Sequence, residues 1–565
     1  MARMGISPWK TVVALAALLY LVVGWGHGVG LINDDAEYIM AAKALAEGSG
    51  SINRLPGLPF LLMPLAPWSQ PPFTLLKLFP WALTLISCVL VWRLSEPLLQ
   101  PRPRVALLIL YAFNPLVAEY AGRVMTEPLF TAVVLASFLL VRGLLRKESA
   151  PRAWLLGLLL GWAAIIRGEG FILLASTALA LWLGNRKRAL AQAVGLAGII
   201  SLSAYLGQAG YLRIWSSSAP SLRPDYWIGH GLFLLRIFTW NTLMGASRFP
   251  TSAMTTVFAT LLLLSAAWLF IRGLRRLEKQ DRSERLLLLC AYCFFFLYSL
   301  LHLLWPVSDP RFFLVLLPFA LLAIVEGARD AGSPLVLAGL GLWLFSYANG
   351  NVQSFRETDA APKATFSWIR ANTLSSARFW SYDSALIELY TNRRAVRLTV
   401  PADEEAFRDR LLSERIDFLY YAPMRIAFEA IPGIERLALN WSRSRQWVAS
   451  SAAYRPVYAS PEESTLVYRV VPSESFQRAY ALYRSALEEF SRAEWEQGLP
   501  LIEEALRLEP RFASALNAYG ATCLITGRDL ALAEKRLLEA VRLRPDYAVA
   551  QENLLRVRER LGRGS

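Results

Sequence analysis

Four short stretches set carboxylates and arginines between long apolar runs. The first is Leu31-Ile32-Asn33-Asp34-Asp35-Ala36-Glu37-Tyr38, followed after a helical run by Asn53-Arg54-Leu55-Pro56-Gly57-Leu58-Pro59. The second is Glu119-Tyr120-Ala121-Gly122-Arg123-Val124-Met125-Thr126-Glu127-Pro128, the third Arg167-Gly168-Glu169-Gly170, and the last Trp305-Pro306-Val307-Ser308-Asp309-Pro310-Arg311-Phe312. Ionisable groups beside membrane-length apolar segments are costly and usually serve a function. A carboxylate held beside a hydroxyl can take its proton. An arginine fork matches the oxygens of a phosphate. The carboxylates of interest are Asp34, Asp35 and Glu127; the cations are Arg54, Arg167 and Arg311, with Tyr38 and His302 near them.

The elements that must bring these groups together are membrane helices. Of 565 residues, 55% are hydrophobic, and the mean hydropathy is positive, which a soluble protein rarely reaches. A bilayer core needs about 20 apolar residues per helix. That length predicts about eleven segments, near 9–29, 73–92, 105–118, 127–141, 153–166, 170–184, 190–210, 253–271, 286–304, 312–328 and 334–348. Four of them (105–118, 127–141, 153–166, 170–184) are short, either tilted or paired as hairpins. Loops on one side carry nineteen Lys and Arg against nine in longer loops on the other. The positive-inside rule then puts the N-terminus in the cytoplasm and all four charged stretches, with everything after residue 349, outside. The same asymmetry accounts for most of the +15 net charge, so no nucleic acid is invoked. The first apolar run lacks a clean cleavage site and is kept as a helix rather than a signal peptide.

Each group also has a structural reading. Asp34 and Asp35 can cap the helix that begins near Ala36, and Glu127-Pro128 reads as a helix start. Arg54, Arg167 and Arg311 can anchor at the headgroup level, and Glu169 is read as the ion-pair partner of Arg167. His27, His230 and His302 are scattered and show no metal triad; His302 is the one near the last charged loop. Cys88, Cys290, Cys293 and Cys523 form no disulfide framework. The aromatic-rich loop 211–252 suits an interface belt or a lipid groove.

Asp34-Asp35-Ala36-Glu37-Tyr38, followed by Ala41-Ala42-Lys43-Ala44-Leu45 and Gly48, resembles the first-loop motif of GT-C glycosyltransferases of the protein O-mannosyltransferase and aminoarabinose transferase group. Residues 54–59 resemble that family's Pro-Pro-Gly-Tyr-Pro-like segment. Arg123 through Pro128 resembles its second-loop acidic motif, and Asp309-Pro310-Arg311-Phe312 with Pro318 a late-helix motif. The resemblance covers roughly residues 9–350. It departs where Asp35 replaces the usual Glu and where Glu37 stands at a commonly basic position, which leaves Arg54 as the better phosphate ligand.

The resemblance implies transfer of a sugar from a polyprenyl-phosphate carrier to an extracytoplasmic protein, lipid or glycan, at the inner (plasma) membrane. Asp34 would be the general base. Asp35 and Glu127 would orient the acceptor or raise the base's pKa by like-charge proximity. Arg54, Arg167 and Arg311 would stabilise the departing phosphate, with Tyr38 and His302 near the substrate, and attack would invert the anomeric centre. No cofactor is firmly expected; the alternative is a divalent metal, Mg or Mn, held by Asp35 and Glu127. Competing readings are an inactive GT-C-like scaffold and a lipid or glycan transporter. A transporter should show repeated halves, and none is visible.

Beyond the membrane domain (1–350), residues 351–474 alternate strand and helix patterns, with strands at 378–382, 395–400 and 416–421, and predict a small extracytoplasmic α/β domain. In 475–565, Glu504-Ala505-Leu506-Arg507-Leu508 matches Glu539-Ala540-Val541-Arg542-Leu543 at an offset of 35 residues. That predicts a tetratricopeptide-like α-solenoid whose surface could hold a protein partner.

Overall fold

The computed structural model describes residues 7–25, 29, 34–48, 54–65, 73–206, 253–304, 309–330, 361–397, 400–401, 404–423, 434–450, 453–471, 474–543 and 547–562. The expected segment 334–348, the 211–252 loop, residues 305–308, His27 and His230 lie outside the described residues. The chain divides into two compact units, residues 1–361 with 429–432, and residues 362–428 with 433–565.

The first unit is helical. In chain order it contains α1 (Pro8–Trp25), α2 (Asp34–Ala46), α3 (Gly57–Leu62), α4 (Phe73–Ser95), α5 (Pro101–Ala112), α6 (Pro115–Tyr120), α7 (Thr126–Arg146), α8 (Ala150–Ile166), α9 (Gly170–Leu183), α10 (Lys187–Leu206), α11 (Ala253–Leu277) and α12 (Arg282–Leu304). A 3-10 turn, Pro310–Leu316, then runs into α13 (Leu317–Gly327). Among the described residues five helical stretches are long and apolar enough to cross a membrane: Phe73–Ser95, Thr126–Arg146, Lys187–Tyr205, Arg282–Leu304 and Pro310–Gly327. Shorter apolar helices occupy Pro8–Gly24, Ala150–Ile166 and Gly170–Leu183.

Two segments differ from the sequence expectation for identifiable reasons. Segment 105–118 is not one helix. The Asn114 side chain accepts from the Leu116 and Val117 amides at 2.9 and 3.4 Å, and Pro115 occupies the first helical position, where a missing N–H costs nothing. A new helix therefore starts there and α5 stops. Conversely, α7 extends past residue 141 to Arg146 because its basic residues are neutralised internally. Glu284 on α12, 1% exposed, binds Arg142 at 3.1 Å and Arg146 at 2.8 Å. Arg142 also donates to the Arg93 carbonyl at 3.1 Å and to the Leu94 carbonyl. Glu284 thus ties α12 to α7, and Arg142 ties α7 to the end of α4.

Two close backbone approaches fix the bundle, one of them beneath the charged loops. A Cβ at Gly57, the first residue of α3, would lie 2.7 Å from the Ile165 carbonyl oxygen and the Ile166 amide nitrogen, so α3 rests directly on the end of α8. On the far side, a side chain at Gly273 would collide with the backbone of Ala323, and one at Gly327 with that of Leu269. Helices α11 and α13 therefore meet backbone to backbone, as small residues allow in membrane bundles.

The second unit opens with α14 (Lys363–Asn372) and a five-stranded sheet in the order β2-β1-β3-β5-β4. Its strands are β1 (Arg378–Trp380), β2 (Arg394–Val396), β3 (Phe418–Tyr421), β4 (Tyr454–Ser460) and β5 (Thr465–Val470). Strand β1 pairs in parallel with β2 and β3, and the β4–β5 hairpin adds antiparallel to β3. The parallel connections run through α15 (Ser384–Thr391) and α16 (Glu404–Ser413), and α17 (Ile434–Ser450) precedes the hairpin. One core gathers Trp380, Phe407, Leu419, Tyr421 and Tyr454, with Trp441 stacked on Trp380 at 5.3 Å.

Five helices end the chain: α18 (Glu474–Ser491), α19 (Trp495–Leu508), α20 (Ala513–Thr526), α21 (Leu530–Leu543) and α22 (Ala548–Arg560). Each packs on the next. The small residues of α20 (Ala513, Ala515, Gly520) let it sink between its neighbours, where a Cβ at Gly520 would press into the Leu537 side chain. Ala406 of α16 joins this helical core, so the sheet and the helices belong to one compact unit.

Candidate active site

Five pieces of the first unit deliver the charged residues to one end of the bundle. Helix α2 begins at Asp34 itself and carries Asp34, Asp35 and Glu37 in its first turn, where the helix dipole favours negative charge. Arg54 precedes α3. Glu127 lies in the first turn of α7, and that helix start has no side-chain cap, so the Glu127 carboxylate is spent elsewhere. Arg167 and Glu169 form the tight turn between α8 and α9, and Gly170 packs directly against α8. Arg311 opens the 3-10 turn, where the Asp309 side chain accepts from the Arg311 amide at 3.0 Å and Pro310 sets the first position.

These elements enclose a cavity of about 200 Å³ whose ionisable lining is Asp34, Tyr38, Arg54, Glu127, Arg167, Glu169, His302 and Arg311. Asp34 is bound at Oδ1 by Arg54 and at Oδ2 by Arg311 at 2.7 Å. Arg54 also binds Glu37, Nε donating to Oε2 at 2.7 Å, and its guanidinium lies 5.2 Å from the Tyr38 ring centroid. Arg167 uses Nη1 for Glu127 and Nη2 for Glu169, both at 2.7 Å. Arg311 Nε lies 3.8 Å from Glu127 Oε1 and 3.5 Å from Asp309 Oδ2. His302 stacks on Phe312 at 4.9 Å, with Nε2 3.6 Å from Glu169 Oε1.

The electrostatics follow from this pairing. Burial opposes ionisation of Asp34, but the Arg311 and Arg54 guanidiniums outweigh it and hold the carboxyl down at about 2. This differs from the sequence expectation of a base raised by neighbouring carboxylates, because both oxygens of Asp34 face guanidiniums. Burial works against Glu169 too, yet Arg167 and His302 depress it. Burial weakens the charge on Arg54, but Asp34, Tyr38 and Glu37 more than restore it. The Tyr38 phenol is pushed up by burial and stays neutral. The cavity lining therefore sets three guanidiniums, Arg54, Arg167 and Arg311, against three carboxylates, Asp34, Glu127 and Glu169.

Of the residues singled out from sequence, Asp34, Tyr38, Arg54, Glu127, Arg167, His302 and Arg311 line this cavity, and Asp35 does not. Asp35 is buried, with the Ala36 amide donating to its Oδ1 at 2.9 Å. Among the described residues no cluster of three or more His, Cys, Asp or Glu suited to a metal ion is present. Sequence reasoning passed over Glu37 as the second partner of Arg54. It also missed Phe312, whose ring lies 5.2 Å from both the Arg167 and the Arg311 guanidinium. The signal available was its place beside Arg311. Chemically, the arrangement offers an ionised carboxylate beside three guanidiniums in a partly dry recess, a setting suited to binding a phosphate and accepting a proton.

No known family model matches the chain, and no curated protein sequence does. Solved structures do. An archaeal oligosaccharyltransferase, AglB from Archaeoglobus fulgidus, in complex with an inhibitory peptide and a dolichol-phosphate, is 12% identical with a TM-score of 0.47, over 82% of this chain and 74% of that one. Arabinofuranosyltransferase AftD from Mycobacteria is 13% identical with a TM-score of 0.44, over 82% and 41%. ArnT from Cupriavidus metallidurans, bound to undecaprenyl phosphate, is 13% identical with a TM-score of 0.51, over 82% of this chain and 98% of that one. At that identity the likeness is one of architecture: the chain has the GT-C fold that ArnT has.

Proposed function

We propose that the chain is a membrane glycosyltransferase that moves a sugar from a polyprenyl-phosphate carrier to an acceptor hydroxyl, with Asp34 as general base. The observation that carries this reading is Asp34 held between Arg54 and Arg311 in the lining of the charged cavity. The structure bound to undecaprenyl phosphate in the same fold supports the choice of carrier.

In this mechanism the donor phosphate competes for the guanidiniums. Arg54 and Arg311 turn from Asp34 to the phosphate oxygens, and Arg167 supports them from Glu127 and Glu169. Asp34 is then a carboxylate stripped of its counter-charges and becomes a stronger base. It takes the acceptor proton as the acceptor oxygen bonds to the anomeric carbon. The carbon–oxygen bond to phosphate breaks, and the polyprenyl phosphate leaves with the electron pair and its new negative charge on the arginines. Attack opposite the phosphate inverts the centre. Tyr38, His302 and Phe312 shape the recess around the sugar.

The same proposal takes the eleven-segment topology, an inner-membrane location with the N-terminus cytoplasmic, and an extracytoplasmic second unit. It reads 351–474 as the α/β domain. It reads 475–565 as tetratricopeptide-like, since α19 and α21, and α20 and α22, begin 35 residues apart. A short solenoid on that side suits a protein partner or large acceptor.

The test is a transfer assay on purified protein with a panel of polyprenyl-phosphate sugars and membrane extract as acceptor. Carrier release that disappears in Asp34→Asn supports the reading. A broad panel with no turnover, together with full rescue of a deletion strain by Asp34→Asn, overturns it in favour of a scaffold or transporter.

A further inference from the structure

Asp34, Glu37 and Tyr38 share one face of α2, Glu37 and Tyr38 standing one turn beyond Asp34. All three meet Arg54. Glu37 Oε2 accepts from Arg54 Nε at 2.7 Å and lies 2.6 Å from Nη2. Nη2 also donates to Asp34 Oδ1, and the guanidinium carbon lies 5.2 Å from the Tyr38 ring centroid. Asp34 and Tyr38 line the charged cavity, and Glu37 is set back from it. Arg54 is thus held by one carboxylate in the recess and by a second behind it.

The two carboxylates differ in use. Asp34 has to give up its guanidiniums before it can take a proton. With Asp34 as the sole anchor, Arg54 would lose its hold at the moment it had to locate a phosphate. A loose arginine side chain has many rotamers, and ordering it weakens the binding of whatever it grips. Glu37 orders it beforehand. Its bond to Nε lies at the side of the fork, so Nη1, and Nη2 once Asp34 lets go, can meet two phosphate oxygens in parallel. Arg311 is held more loosely at its own Nε, 3.5 Å from Asp309 Oδ2 and 3.8 Å from Glu127 Oε1. Of the two arginines on Asp34, Arg54 is therefore the one placed in advance.

We propose that Glu37 is a positioning residue of the donor site, holding Arg54 by Nε so that its guanidinium stays aimed at the carrier phosphate after Asp34 is released. The proposal rests on the transferase reading in one respect, that Arg54 is a phosphate ligand. Glu37 touches neither donor nor acceptor and acts through Arg54. Its sign separates it from a bystander. A carboxylate that merely competed for Arg54 would, on removal, free the cation and tighten phosphate binding. An anchor, on removal, weakens it.

The experiment is equilibrium binding of undecaprenyl phosphate to the full chain in neutral detergent, with melting temperature recorded in parallel. Glu37→Ala should raise Kd about tenfold, the worth of one hydrogen bond to a charged group. Glu37→Gln should bind within about twofold of wild type, because its amide oxygen can accept the same Nε proton. Arg54→Ala should weaken binding at least as much as Glu37→Ala, and combining the two should raise Kd no further, as expected of residues that act as one unit. Binding by Glu37→Ala as tight as wild type, or tighter, overturns the proposal. So does a Glu37→Ala penalty that persists in the absence of Arg54. Turnover enters none of these readings, so a failed transfer assay leaves them standing. Arg54→Ala that binds like wild type would remove Arg54 as the phosphate ligand and this proposal with it, whereas a weak Arg54→Ala beside an unaltered Glu37→Ala removes this proposal alone.

Discussion

Arg311 and Arg54 grip opposite oxygens of one carboxylate, Oδ2 and Oδ1 of Asp34, although one arginine precedes α3 and the other follows α12. In this arrangement the base is ionised but occupied. Its availability is therefore tied to the arrival of another anion, and several measurements follow from that tie.

Asp34→Asn should lower kcat by about 10²–10⁴, the usual worth of a positioned general base. It should leave carrier binding intact or tighter, because the two guanidiniums lose their resident competitor. Single-turnover kinetics with a polyprenyl-phosphate sugar, set beside equilibrium binding of polyprenyl phosphate, separates the two effects. Loss of binding with unchanged turnover per bound donor would count against Asp34 as base.

The pH profile should split. The Asp34 carboxyl sits at about 2 in the free protein against its ordinary 3.8. Because its folded value is depressed, its ionisation stabilises the protein above pH 4 and that stabilisation is lost as pH falls from there through about 2. The acid limb of kcat/KM, which reports the free enzyme, should therefore stay flat down to pH 4. The limb of kcat, which reports the donor complex, should lie higher, since the phosphate has drawn the arginines away. Coincident limbs would argue against the exchange.

Arg311→Lys should raise KM for the donor about tenfold, since an ammonium cannot offer a phosphate two parallel donors. The Asp309 cap and Pro310 remain in this variant, so the local turn is kept. Circular dichroism and melting temperature check that point.

Gly57→Ala should cost activity on the order of a hundredfold, the price of misplacing a site by about 1 Å. The new methyl would wedge α3 off the Ile165–Ile166 backbone and move Arg54 and Arg167 apart. Full activity in this variant would show that the loop bearing Arg54 adjusts independently of α8.

Glu284→Ala should destabilise by about 3–5 kcal/mol, because Arg142 would be left buried without its counter-charge. Activity per folded molecule should persist. Adding Arg142→Met should recover part of the loss, measured by thermal unfolding in detergent.

Seven of the eight residues marked from sequence line one cavity because the signal was physical: charges at the ends of apolar runs have few places to go but one another. Asp35 escaped that logic. Adjacent to Asp34 on a helix, it points about 100° away around the axis, and sequence proximity said nothing of which neighbour faces the recess. Helix α7 looked short because Arg142 and Arg146 read as loop residues, and only the fold reveals Glu284 beside them. The break at Asn114-Pro115 was written in the sequence as a cap followed by proline, yet the surrounding apolar residues masked it. In the second unit the β1–β3 core was visible as alternating strand and helix patterns. The β4–β5 hairpin was not read, since its pairing with β3 depends on residues some fifty positions apart.

Where α11 meets α13, a hydrogen atom is all that Gly273 and Gly327 present to the opposite backbone. That contact leaves no room for drift by small steps. Replacement at either position by even the smallest side chain has no neutral intermediate, so in any lineage descending from this chain the two glycines should persist with the tenacity usually reserved for reacting groups. They do so without touching substrate. A ranking of positions by invariance would thus place them beside Asp34 and mislead a search for the active site, while a deep mutational scan scored separately for abundance and for turnover would tell the two kinds of constraint apart.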